Sequence, residues 1–208
     1  IDNNKEFKIK DLISYSTSLH RDQGFELSTD SAQKELTEFL MDRLKYYMKE
    51  NKIRADITEA AISSYGIDHM NKIYQKSLIL NNEIKKEIGE DITASYKRAS
   101  SILESELRNS DLELSNTTDS GIFKNDYEKN LLKKINELRK YFINIKKDEN
   151  YLESLIKLAG AKKVIFDFFD NVKVNDEDKN IKKNRLELLQ MLCKTFDNYI
   201  NFSNIETK

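Results

Sequence analysis

Few residues in this chain have the types and spacing that chemistry requires. Cys193 is the single cysteine, and His20 and His69 are the two histidines. They are too few for an intrachain disulfide or a zinc set. Cys193 follows Leu192 in a regular apolar pattern, which marks a packing residue and not a nucleophile. His20 precedes an Arg at a helix end and His69 stands in a first helical turn, so both read as solvated or capping groups. Asp176, Glu177 and Asp178 could be imagined as a general acid and base, but carboxylates at a helix start answer the helix dipole. A phosphate cradle needs clustered glycines, whereas Gly24, Gly66, Gly89, Gly121 and Gly160 stand far apart. The residues predict no catalytic group, no metal and no cofactor in this segment.

Binding chemistry is better represented. Cations gather in Tyr96-Lys97-Arg98, in Lys179, Lys182, Lys183 and Arg185, and in Arg43, Lys45, Lys49, Lys52 and Arg54, which are interleaved with Tyr46 and Tyr47. The longest basic stretch holds Lys124, Lys129, Lys133, Lys134, Arg139, Lys140, Lys146 and Lys147 against Asp126, Glu128 and Glu137. Each cluster alone reads as a solvated helix face. Cations beside aromatic rings also suit RNA loops, because the cations hold phosphates while ring faces and guanidinium planes stack on splayed bases.

The elements that position these residues are helices. Apolar residues at Ala32, Leu36, Leu40, Leu44, Tyr47 and Met48 mark one amphipathic helix, with Asp30 and Gln33 as a capping box. Asp56 and Glu59 repeat the device for a helix to about Tyr65, ended by Gly66. A third helix is predicted from about Asp68 to Ile88, stopped by Gly89, and a fourth from Asp91 through Leu107. Asn109 to Gly121 is polar and without period, and predicts a mobile loop. Further helices are predicted at about Lys124–Asn144, Glu149–Leu158, Lys162–Asn171 and Asp176–Ile200, the last capped by Asn175. The first thirty residues receive no firm assignment. No period recurs along the chain, so a solenoid is not supported.

Composition agrees with an all-α class. The 208 residues include no Pro, five Gly, ten Tyr and ten Phe, which leaves too little turn chemistry for many short strands. Basic and acidic side chains number 35 and 36, and 38% of residues are apolar, so a core is affordable and disorder is excluded. The densest apolar run, Val164 to Phe169, is interrupted by Asp167, and no apolar leader begins the chain, so a cytoplasmic, non-membrane protein is expected. The absence of a start Met points to a segment of something longer. The abundance of Lys, Asn and Ile resembles codon bias in an AT-rich genome.

Three runs carry a resemblance. Phe39 to Ile57, FLMDRLKYYMKENKIRADI, resembles the F-x-x-D-R-L-x-x-Y pattern, followed by Glu, Gly, Arg and an Asp-Val pair, near the C-terminus of bacterial tetrameric glycyl-tRNA synthetase β subunits. Ala94 to Leu103, ASYKRASSIL, is similar to that family's A-x-K-R-x-x-N-I-L. Phe168 to Leu189, FFDNVKVNDEDKNIKKNRLELL, resembles its F-F-D-x-V-x-V, acidic turn and N-R-L-x-L-L ending, and Asn201-Phe202-Ser203 its closing D-F-S. Lys52, Ser101 and Lys173 depart from it, standing where Gly, Asn and Met are usual.

The resemblance implies a bundle of about eight helices, with a connector over residues 1–90 and a DALR-type anticodon-binding bundle over 91–208. It implies tRNA(Gly) as partner, together with the rest of the β subunit and the α subunit of an α2β2 tetramer. Glycylation with ATP and Mg would take place at the α subunit. Matched position by position, it singles out Arg43, Arg54, Lys97, Arg98, Asn184 and Arg185 for tRNA contact, against a bracing role in ion pairs; Tyr96, a ring adjoining two of these cations, joins them as a seventh candidate. An arginyl-type anticodon domain and a helical protein-interaction scaffold are the competing readings.

Overall fold

A computed structural model describes residues 8–24, 29–108, 112–145 and 150–206. Among these the secondary structure is helical, and the chain forms two compact units, residues 1–81 and 82–208. No helix among the described residues is long and apolar enough to cross a membrane.

The first unit contains α1 (Ile9–Asp22), α2 (Thr29–Glu50), α3 (Ala55–Tyr65), a 3-10 turn at Ile67–His69, and α4 (Met70–Glu83), whose last two residues cross into the second unit. α1 went unassigned in the sequence, yet Ile9, Ile13 and Thr17 recur at four-residue spacing and are buried, with Ile9 and Ile13 packed on Leu40, Met41 and Met70. Its apolar pattern is blurred because Leu12, Tyr15 and Leu19, on another face, are exposed.

α2 ends in a Schellman motif: Lys52 N–H donates to the Lys49 carbonyl at 2.9 Å and Ile53 N–H to Met48 at 3.0 Å. Lys52 takes φ +59° to close it, which explains why the resembling pattern carries Gly there. Asp56, expected to cap α3, lies inside that helix, and Gly66 at φ +67° ends it.

The second unit contains α5 (Glu87–Arg108), a 3-10 turn at Ser120–Ile122, α6 (Asp126–Asn144), α7 (Tyr151–Ala159), α8 (Lys162–Asn171), α9 (Lys179–Phe196) and a 3-10 turn at Phe202–Asn204. α5 packs on α7, α8 and α9, while α6 packs on α8 and α9. Ile92, Leu131, Ile135, Leu155, Phe168, Leu188 and Phe196 lie in the core without measurable exposure.

Further boundaries differ from the periodic reading: the helix expected over about Asp68 to Ile88 ends at Glu83, and Asp30, expected as a cap, lies inside α2. Gly89 was expected to stop a helix, but it sits in the first turn of α5. A Cβ there would lie 2.3 Å from Ile84 Cα and 2.4 Å from the Glu83 carbonyl oxygen, so Gly serves close approach. α9 begins at Lys179 because Asp178, not Asn175, accepts from Asn180 N and Ile181 N. It stops at Phe196 because Asp197 accepts from Phe202 N at 3.0 Å, reversing the chain so that Tyr199, Ile200 and Phe202 reach the core.

The polar segment expected to be mobile is held where it is described. Ser115 N and Oγ donate to Glu187 at 3.0 and 2.7 Å, and Asp119 exchanges two hydrogen bonds with Asn184. Residues 109–111 lie outside the described set.

Candidate nucleic-acid interface

Three of the seven residues singled out for tRNA contact turn inward. Arg185 on α9 retains 4% exposure. Its Nε donates to Glu128 Oε1 at 2.7 Å, and its Nη1 donates to Asp176 Oδ2 at 2.7 Å and the Lys173 carbonyl at 2.8 Å. The other Glu128 oxygen accepts from Lys124 N and Asn125 N, completing the capping box that starts α6. One guanidinium thus joins α9, the start of α6 and the turn before α9. Asp176 is held below the usual carboxylate range by the Asp178 backbone N–H and by Arg185.

Asn184 and Tyr96 are equally committed. The Asn184 amide is buried and pairs with the Asp119 backbone in both directions, at 2.7 and 3.0 Å. Tyr96 is buried against Phe196 and Phe202, with ring centroids at 6.3 and 5.7 Å, and its hydroxyl donates to Asp197 Oδ2 at 3.3 Å. Burial, together with the Asp197 carboxylate, raises the phenol's pKa. These three residues brace the bundle and correct the expectation that they present themselves to RNA. The physical reason is shared: each is hydrogen-bonded to groups inside the bundle, so exposing it would break buried hydrogen bonds. Cys193, buried beside them, has its thiol pushed up to about 12 by that burial, which removes thiolate chemistry.

The remaining four lie nearer the surface. Lys97 is half-buried on α5. Arg98, one residue on, lies over Phe166 and Phe169 at 5.1 and 4.8 Å from their centroids and meets Asp170 at 3.2 Å. It is partly neutralised and held by two rings. In the first unit, Arg43 is exposed over Phe39 at 5.1 Å, and Arg54 forms a two-pronged pair with Asp56.

A more open cationic feature lies on α6. Lys129, Lys133, Asn136, Glu137 and Lys140 recur at helical spacing on the face opposite the buried Leu131, Ile135 and Leu138. Asn125 caps the helix by accepting from Glu128 N at 3.1 Å, which aligns the segment Ser120–Phe123 alongside that face. Between them lies a groove of about 470 Å³, lined by Ser120, Phe123, Leu132 and these polar residues.

Lys133, Arg139 and Lys140 are exposed and have no ion-pair partner among the described residues. Lys129 meets the exposed Asp126 at 3.0 Å, a pair that contributes little in water. Chemically the groove offers an apolar floor, three ammonium groups and one carboxylate. None of these residues is among the seven singled out for tRNA contact, although the four- and seven-residue steps from 129 through 140 are visible in the sequence.

Among the described residues, no group of three His, Cys, Asp or Glu side chains is placed to hold a metal ion. The chain belongs to the DALR anticodon binding domain family, which residues 92–208 match.

Over nearly its whole length it is similar to glycine–tRNA ligase beta subunits. The relative from Rickettsia prowazekii (strain Madrid E) is 30% identical over 205 residues, covering 99% of this chain and 28% of that protein. The relative from Rickettsia peacockii (strain Rustic) is 29% identical over 213 residues, with the same two coverages. The chain thus spans just over a quarter of the length of these relatives.

Proposed function

We propose that this chain is the anticodon-arm-binding part of a cytoplasmic glycine–tRNA ligase β subunit. It holds tRNA(Gly) while glycylation with ATP and Mg proceeds at the α subunit of an α2β2 assembly. The observation that carries this reading is the match of residues 92–208 to the anticodon binding domain family. The resemblance of the flanking 39–57 run and the names of the relatives add the amino acid. Widely spaced glycines offer ATP no backbone cradle here, in keeping with a binding role for this chain.

Glycine anticodons end in two cytosines, whose exocyclic amines donate hydrogen bonds. Recognition therefore calls for acceptors beside cations, and Glu137 with its flanking lysines has that composition. The test is titration of the full chain with tRNA(Gly) and with the same tRNA carrying two uracils in place of those cytosines. The altered tRNA is expected to bind weaker by about 1–3 kcal/mol per changed base. Equal binding of both would remove the glycine assignment and leave anticodon-arm affinity alone. Absence of binding to either at low salt would favour the scaffold reading.

A further inference from the structure

We infer that the groove on the outer face of α6 takes one unstacked pyrimidine of an RNA hairpin loop, its base against Phe123 and its flanking phosphates on Lys129, Lys133 and Lys140. This rests on the RNA-binding reading above and deepens it by naming the surface.

Charge and shape together select the occupant. Three lysines rim the groove against Glu137 alone, so the local field favours an anion even though the chain's formal net charge is −1. Glu137 is itself engaged by Lys134 at 3.9 Å. The floor is apolar: Phe123 and Leu132 stay partly open to solvent, which suits the flat face of a base better than a hydrated ion.

Lys129 and Lys133 stand one helical turn apart, about 6 Å along the axis. That step resembles the one between successive phosphates of an extended strand. The Glu137 carboxylate and the Asn136 amide, on the same rim, can accept from an exocyclic amine. A duplex groove would gain nothing from Phe123, so a splayed loop base is favoured over a stem.

The experiment uses the full chain and a synthetic anticodon stem-loop ending in two cytosines, read by fluorescence anisotropy across a salt series. Lys133→Gln with Lys140→Gln is expected to weaken binding roughly 25-fold at 0.1 M salt and to flatten the slope of log affinity against log salt by about 1.4. Phe123→Ala is expected to lose at least about fivefold, with a smaller change of slope. Should Phe123→Ala lose helical structure, the lysine pair decides, because both lysines are exposed and unpaired among the described residues.

If the parent binds and the lysine pair stays within twofold at an unchanged slope, the groove assignment is overturned and the RNA reading survives elsewhere on the chain. If the parent binds no hairpin at low salt, both fall together. The groove would then suit an acidic protein segment instead.

Discussion

Arg185 shows how a cation that looks suited to RNA can be spent on the fold. Its side chain is 5% exposed and Glu128's is 1%, so truncating one leaves the other charged, buried and without its partner. Arg185→Ala is expected to lower the unfolding free energy by about 3–5 kcal/mol in urea titrations. Any loss of tRNA binding in that variant would follow from loss of structure. Arg185→Lys should recover little, because a lysine cannot reproduce the fork that reaches Glu128, Asp176 and the Lys173 carbonyl together.

Asp197 supplies a pH signature at the same scale. Burial lifts its carboxyl to about 6, against the opposing pull of hydrogen bonds from Phe202 N and the Tyr96 hydroxyl. In the unfolded chain the group ionises near the usual value of about 3.9. Between those values the native state keeps a proton that the unfolded state has lost. This contribution is therefore fully present below about pH 4, declines as pH rises to about 6, and is absent above that. Asp197→Asn should remove the decline: the stability difference, parent minus variant, is expected to fall by about 2 kcal/mol at most from pH 4 to 7, less where solvent screens the partly exposed carboxyl.

At the level of elements, helix ends decide more than helix middles. The capping box of Asn125 and Glu128 starts α6 and so sets the groove beside Ser120–Phe123. Asn125→Ala is expected to cost about 1 kcal/mol by chemical denaturation and to reduce hairpin affinity alongside it.

The end of α2 makes the opposite case. Lys52 holds φ +59°, a conformation that costs a residue with a Cβ roughly 1 kcal/mol. Lys52→Gly should raise the unfolding free energy by about 1 kcal/mol, read as a higher urea midpoint at an unchanged m-value, and no change would show that the Lys side chain offsets the strain locally.

Helix interiors were legible in the residue pattern because a 3.6-residue period survives wherever one face is buried. Leu131, Ile135 and Leu138 are an example. α1 escaped because its exposed Leu12, Tyr15 and Leu19 blur that period. Gly89 misled because a glycine that ends a helix and one that admits a neighbouring backbone look alike in sequence.

For the molecule as a whole, near-neutral net charge means that RNA affinity must come from local fields. If three phosphates sit on α6, raising salt from about 50 to 200 mM should weaken hairpin binding roughly 20-fold, a log–log slope near −2. A slope near zero would remove the electrostatic account.

The class of architecture and the family likeness were readable from residue types and spacing. Each depends on local periodicity, on simple counts or on matched runs. What tertiary structure decided was the direction in which each cation points. Arg185 reaches Glu128 across 57 positions of sequence and Asn184 reaches Asp119 across 65. Helical periodicity reports which face a residue occupies but not what packs against that face. Burial and ion pairing are set by that opposing surface, so Tyr96, Asn184 and Arg185 went to the interior while the lysines of α6 stayed in water.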